Sequence, residues 1–167
     1  MQEESESIQS HHLIQMLRSR FTMFGPTGVR RYLIGEEVGH KDRWADMIVQ
    51  DTWAGGRYYG DPDKPYNAYP RHGFEVKVSR SDWLNELRDP SKAEAFRPYC
   101  HFWSLVIADK SMVREGELPE GWGLLVPRGK RLFTIVKALE NFDMKPIPPD
   151  FMIGLMRRID QNARGER

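Results

Sequence analysis

The clearest periodic pattern in the chain is the alternation of apolar and polar side chains over residues 73–78. Apolar side chains occupy every second position and share one face of a predicted strand, namely Phe74, Val76 and Val78. Glu75 and Lys77 share the other face, with Cα atoms roughly 6.5–7 Å apart at the rise of a strand. A carboxylate and an ammonium group therefore stand side by side, where both can reach one phosphate or one metal ion.

Two short helices are predicted directly after this strand. Ser79 and Ser81 are both candidate N-caps for a helix over residues 82–87, which a following proline stops. The run Ser91–Glu94 has the capping-box pattern and predicts a second helix that extends to about Pro98.

Hydrophobic periodicity predicts the remaining elements. Helical spacing over residues 8–20 and 150–162 predicts two amphipathic helices, and three apolar side chains of the second point inward: Phe151, Leu155 and Ile159. The other apolar runs are predicted strands, the last two forming a hairpin: residues 44–49, 101–108, 123–126 and 132–136. The strand at 101–108 is apolar at nearly every position, which is typical of a central or parallel strand.

Residues 32–38 are compatible with a strand or with a short helix, and Gly35 in the middle of the run favours the strand. The choice matters for Glu36 and Glu37. In a regular strand these neighbours point to opposite faces, so only one of them can serve a site there.

The predicted order is α-β-β-β-α-β followed by a hairpin and a helix, an α/β fold with a mixed central sheet. The chain has 167 residues, of which 40% are apolar and 29% charged, as expected for one globular domain. We expect residues 1–7 to form a disordered acidic tail and residues 8–167 to form that single domain.

Charge and cysteine content limit the kinds of binding partner and the cellular location that we expect. The formal net charge is only +1, so a polyanion would have to bind a local basic patch. Such patches are either DNA contacts or ordinary solvated faces, and three clusters qualify: Arg18 to Arg31, Arg128 to Arg131 and Arg157 to Arg167. The single cysteine, Cys100, cannot form an internal disulfide, and no apolar run approaches the roughly 20 residues of a membrane span. These features predict a cytoplasmic protein that does not contact a membrane.

Asp46 interrupts the apolar run at 44–49, and a carboxylate buried in a strand needs a partner. Asp46 followed by Glu75-x-Lys77 on the next strand resembles the D…(D/E)xK signature of the PD-(D/E)XK nuclease superfamily. The longer runs 73–92, 99–100 and 117–125 are similar to the MmcB-like DNA-repair group and its small bacterial and phage relatives. The similarity extends over about residues 30–138. Asp46 lies in Ala-Asp-Met and lacks the preceding proline of the superfamily name.

The resemblance implies a restriction-endonuclease-like core and a metal-dependent DNA nuclease. Asp46, Glu75 and Lys77 would be the catalytic residues. Mg²⁺ or Mn²⁺ would be bound by Asp46, Glu75 and the Val76 carbonyl, completed by Glu37 or Glu36, of which the Glu-Val spelling suggests Glu37. Lys77 would stand beside the scissile phosphate, where it orients the attacking water or stabilises charge on the phosphate.

DNA is the expected partner, while nothing in the sequence indicates the oligomeric state. The loop over residues 52–71 is rich in glycine, proline and tyrosine and is long for a compact domain. Its aromatic side chains either stack on unpaired bases or pack on their own strands. The predicted DNA contacts are Arg30, Arg31, Arg43, Arg57, Lys64, Ser79 and Arg80.

Three functions remain open on the sequence: a metal-dependent nuclease in DNA repair, recombination or phage DNA processing; a protein of the same fold that binds DNA or a repair partner with little or no cleavage; and an interaction protein unrelated to nucleic acid. The complete carboxylate and lysine set favours the first over the second. The local basic clusters argue against the third.

Overall fold

The computed structural model describes residues 8–53 and 69–166. In chain order the helices and strands are α1 (Ser10–Arg20), β1 (Tyr32–His40), β2 (Arg43–Asp51), β3 (Arg71–Lys77), α2 (Arg80–Arg88), α3 (Ser91–Phe96), β4 (Phe102–Ile107), β5 (Gly123–Arg128), β6 (Arg131–Val136) and α4 (Pro149–Arg164). Two 3₁₀ turns, Arg97–Tyr99 and Lys110–Met112, precede and follow β4.

The strands form one mixed sheet in which spatial order follows chain order, β1-β2-β3-β4-β5-β6. β1, β2 and β3 form an antiparallel meander, β4 and β5 continue parallel to β3, and β6 returns antiparallel. The α/β class, the mixed sheet and the C-terminal hairpin and helix agree with the sequence prediction. The ambiguous run at 32–38 is a strand.

Helices cover both faces of the sheet. Leu13 and Leu17 of α1 pack on one face in a cluster with Phe74 and Val76 of β3. The opposite face carries the larger cluster, to which α2, α3 and α4 contribute large side chains, namely Trp83, Phe96 and Phe151. The apolar face predicted for β3 is therefore the α1 face, and Glu75 and Lys77 point to the face covered by α2 and α3.

The capping-box prediction at Ser91 is wrong. The residue before the helix is Pro90, and no side chain caps α3. Ser91 is instead the first helical residue, and its backbone N–H donates to Asp89 Oδ1 at 3.2 Å. Since Pro90 already sets a helical backbone angle, the helix begins one residue earlier than a serine cap would place it. It ends at Phe96 and passes into the 3₁₀ turn.

Within residues 8–53 and 69–166, no helix is both long and apolar enough to cross a membrane. The predicted tail at 1–7 and most of the aromatic loop, with Arg57 and Lys64, lie outside the described residues.

Candidate metal and phosphate site

Asp46 and Glu75 meet where the ladder between β2 and β3 ends. The last paired residues are Met47 and Phe74. Beyond them, the Val76 N–H donates to Asp46 Oδ2 at 2.7 Å. The Asp46 carboxylate thus replaces a backbone carbonyl of β2 as the acceptor. In an extended strand the N–H and C=O of one residue point to the same side. The Val76 carbonyl is therefore expected on the β2 side of the strand as well.

Asp46 also lies at a break in the alternation of β2. Ala45 and Ile48 belong to the cluster under α2 to α4, whereas Met47 and Val49 belong to the α1 cluster. Alternation would place Ala45 and Met47 on the same face. The irregularity leaves the Asp46 side chain 30% exposed between two buried neighbours, at a cleft rather than in the core.

Glu75 is completely buried, with an exposed fraction of 0%. Its Oε1 accepts hydrogen bonds from Lys77 Nζ and from Lys92 Nζ, both at 2.6 Å. Its Oε2 is buried and has no hydrogen-bond partner among the described residues. Burial and then the nearby Asp46 carboxylate raise the pKa of Glu75 to about 7, against the opposing effect of the two lysines.

Lys77 bridges two buried carboxylates, because its Nζ also lies 2.9 Å from Glu86 Oε2. Burial by itself lowers the pKa of Lys77, but the attraction and hydrogen bonds of Glu75 and Glu86 outweigh it and raise that pKa. Lys77 is therefore a permanent ammonium group at neutral pH. The prediction that Glu75 and Lys77 share a face is confirmed.

Two charged residues of this site were not predicted, Glu86 and Lys92. Glu86 lies on the buried face of α2, three residues after Trp83, and that helical spacing could have revealed it. Lys92 approaches from α3, and its Nζ lies 3.7 Å from Asp46 Oδ1 in addition to its bond to Glu75. No local pattern marks Lys92, since its position depends on how α3 packs over β3.

Glu36 and Glu37 both line the cleft together with Asp46 and Val76, in a cavity of about 260 Å³. Strict alternation would have allowed only one of them. Glu37 has a positive φ of 50°, however, and this left-handed conformation breaks the alternation.

Each of these two acids is already paired with an arginine. The Arg18 guanidinium binds the Glu36 carboxylate through two nitrogens, with Nη2 2.7 Å from Oε2. The Glu37 side chain is 77% exposed and lies 3.6 Å from Arg158 Nη2. The choice between Glu36 and Glu37 as a further ligand stays open.

A second cavity of about 480 Å³ adjoins the first, and both are lined by Ser10, Asp46 and Val76. Lys77 and Lys92 open into this second cavity. The two cavities adjoin as one cleft, and Asp46 lines both parts of it. We call it the Asp46 cleft.

The predicted DNA contacts lie at several places. Arg43 lines the Asp46 cleft and its Nη2 is 3.5 Å from Asp89 Oδ2. Ser79 accepts the Asp82 N–H at 3.1 Å as the N-cap of α2. Arg30 lines a different, mostly apolar cavity of about 350 Å³ beside α1.

Arg31 and Arg80 are held in internal ion pairs. Arg31 Nη2 lies 2.7 Å from Asp51 Oδ2, and the guanidinium is 4.9 Å from the Trp53 ring centroid. Arg80 pairs with Glu117 and donates to the Met112 carbonyl at 2.6 Å. Their charges are largely satisfied within the protein.

The donor set suits a hard divalent cation in part. Among the described residues, no group of three or more His, Cys, Asp or Glu side chains is arranged to hold a metal ion. Magnesium, however, is usually held by one or two carboxylates, with water and substrate phosphate completing its shell. Asp46 and Val76 line the Asp46 cleft, whereas Glu75 lies buried beside it and is not among the lining residues, so only one of these two neighbouring carboxylates is open to the cleft.

Comparison with known proteins gives a fold but no function. No family model and no curated protein matches the chain. A solved structure of a protein of unknown function from Silicibacter pomeroyi is similar, with a TM-score of 0.55 and 14% sequence identity. The match covers 98% of this chain and 89% of that one. At this identity the similarity concerns the α/β fold alone.

Proposed function

We propose that the protein is a metal-dependent DNA nuclease of the PD-(D/E)XK type, acting in repair, recombination or phage DNA processing. One observation carries the proposal. Asp46, Glu75 and Lys77, separated in sequence, converge at the end of the β2/β3 ladder, where a buried Glu75 oxygen has no hydrogen-bond partner in the described part of the chain. The order of the elements also supports a restriction-endonuclease-like core: an antiparallel meander of β1 to β3 is followed by helices and by β4, which is parallel to β3.

The chemistry divides between the ion and the chain. A bound Mg²⁺ or Mn²⁺ supplies an activated water and charge neutralisation on the phosphate. Asp46, Glu75 and the Val76 carbonyl would hold the ion. Glu75 and Glu86 hold Lys77 in place and raise its pKa, which favours the ammonium form. Its role is to stabilise negative charge on the phosphate and to orient water.

A second candidate is a protein that binds DNA without cutting it efficiently. The specific observation in its favour is that cations of the chain already neutralise the acids of the cleft. Lys77 and Lys92 bind Glu75, Arg18 binds Glu36 and Arg158 approaches Glu37. These ion pairs balance the charge of the acids with side chains of the chain itself.

Cleavage assays separate the two candidates. Labelled single-stranded, duplex and branched DNA would be incubated with wild type and Asp46→Asn in Mg²⁺, in Mn²⁺ and in chelator. A nuclease gives ion-dependent products that Asp46→Asn abolishes, while the control Asp160→Asn, an exposed change on α4, keeps them. Binding of DNA with no products in any condition would favour the second candidate. Equal cleavage by Asp46→Asn would remove the proposed site.

A further inference from the structure

Lys92 contacts both carboxylates that the proposed function assigns to the metal ion. Its Nζ lies 2.6 Å from Glu75 Oε1 and 3.7 Å from Asp46 Oδ1. We propose that Lys92 is a displaceable counter-cation, which holds these two acids together in the metal-free protein and must leave when a divalent ion binds. This inference rests on the proposed function and adds a regulatory element to it.

The position of the ammonium group carries the first step. A magnesium ion held by both carboxylates would lie about 2.0–2.1 Å from its ligand oxygens, and so close to Asp46 and Glu75. Lys92 Nζ already lies within 3.7 Å of one oxygen of each of these carboxylates. Two cations a few ångströms apart repel in a partly buried site, so the metal ion and this ammonium group compete for the two carboxylates.

Lys92 rather than Lys77 is the lysine that can yield. The Lys92 side chain is 25% exposed, against 13% for Lys77. Lys77 is tied to two buried carboxylates, Glu75 and Glu86. Lys92 extends from a six-residue helix at the rim of the Asp46 cleft, on a flexible four-carbon stem.

The cleft offers a place for the displaced side chain. Asp82 and Asp89 line the same 480 Å³ cavity as Lys92, and in the proposed exchange they are the alternative acidic partners of its ammonium group. Lys92 would thus change partners without leaving the cleft. In this arrangement Lys92 sets the metal concentration at which the site binds the ion. Below that concentration its ammonium group compensates the charges of the two acids.

Calorimetric titration with Mn²⁺ tests the inference directly. Wild type, Lys92→Met and Lys92→Gln would be compared with Lys137→Gln, an exposed lysine beyond β6. Removing the competing charge is expected to lower the Mn²⁺ dissociation constant by about tenfold or more. The control keeps the wild-type constant. In chelator, both Lys92 variants should melt several degrees below wild type, because Glu75 and Asp46 lose a shared cation.

The outcomes separate this inference from the proposed function. If wild type binds Mn²⁺ and neither Lys92 variant binds it more tightly, the proposed role of Lys92 is overturned and the metal site remains. No Mn²⁺ binding by any of the proteins, with or without a short oligonucleotide, overturns the metal site and this inference together. Lys92→Gln keeps a hydrogen-bond donor and serves as the test if Lys92→Met does not fold.

Discussion

The environment of Glu75 in the folded protein disfavours ionisation of its carboxyl group. Burial and the neighbouring Asp46 raise its pKa to about 7, from an ordinary value of 4.5. A carboxyl whose pKa is higher in the folded than in the unfolded protein takes up a proton on folding in the interval between the two values. Its contribution to stability is therefore greatest at low pH and is lost as the pH rises from about 4.5 to about 7.

Comparison of wild type with Glu75→Gln should reveal this dependence. The free energy of unfolding of metal-free wild type is expected to fall relative to that of Glu75→Gln as the pH rises from 5 to 8, by up to about 3 kcal/mol. Denaturant melts at several pH values measure the difference. Parallel profiles for the two proteins would show that Glu75 ionises normally. Metal binding should have the opposite dependence and strengthen with pH, since a ligand carboxylate must lose its proton.

Asp46→Asn should separate the structural from the metal-binding role of this residue. An amide oxygen can still accept the Val76 N–H, and the loss of one negative charge relieves repulsion with Glu75. We expect the metal-free variant to be as stable as wild type or more stable. Wild type should gain about 1.4 kcal/mol at a tenfold excess of free metal over its dissociation constant.

Thermal melts with Mn²⁺, Mg²⁺ and chelator check this expectation. The gain corresponds to roughly 3–6 °C in the melting temperature of a domain of this size, and Asp46→Asn should lose most of it. An equal metal-dependent shift in both proteins would place the ion elsewhere. The melts should include a short oligonucleotide, because substrate phosphate can complete the metal shell.

At the scale of elements, α2 supplies Glu86 to the site and its start is fixed by a cap. The sequence offered Ser79 and Ser81 as candidate caps, and the structure assigns Ser79. Ser79→Ala should reduce the free energy of unfolding by about 1 kcal/mol. Ser81→Ala should have a clearly smaller effect, since its hydroxyl bonds to that of Ser79 and Ser79 is the residue that caps the helix. Denaturant melts of both variants measure the two free energies of unfolding. A larger effect of Ser81→Ala would contradict the assignment of Ser79 as the cap.

The elements also show what the sequence could predict. Period-two alternation correctly assigned the faces of β3, because Phe74 and Val76 pack against α1. Local alternation failed at Glu37, where a positive φ depends on how β1 meets its neighbours. Lys92 was missed for the same reason. Its contacts with β2 and β3 arise from tertiary packing, which no window of a few residues contains.

At the scale of the whole molecule, the net charge is only +1. It therefore matters whether each arginine neutralises an acid of the protein or remains available to a polyanion. Arg31 neutralises Asp51, whose side chain is only 4% exposed, whereas Arg43 and its partner Asp89 are both substantially exposed. Arg31→Gln should therefore destabilise the protein, by about 1–3 kcal/mol, because a buried acid loses its partner. Arg43→Gln should change stability by less than about 1 kcal/mol.

DNA binding should rank these two arginines in the opposite order. Arg43→Gln is expected to weaken binding and to reduce the slope of log affinity against log salt by nearly one unit, as for a lost phosphate contact. Titrations with a fluorescent oligonucleotide at several salt concentrations give the slope. An unchanged slope in Arg43→Gln would exclude the Asp46 cleft as the DNA path and direct attention to Arg128 and Arg131 in the hairpin.

The order of the strands in the sheet has a consequence for how such a protein can diverge. Every strand lies beside its neighbour in the chain, and five charged residues of the site all precede β4: Asp46, Glu75, Lys77, Glu86 and Lys92. The genetic segment that encodes this group is therefore continuous. Recombination can exchange the C-terminal hairpin for another one while every member of the group is inherited as a block, so the outer part of the sheet is free to evolve new surfaces around an unchanged set of charges.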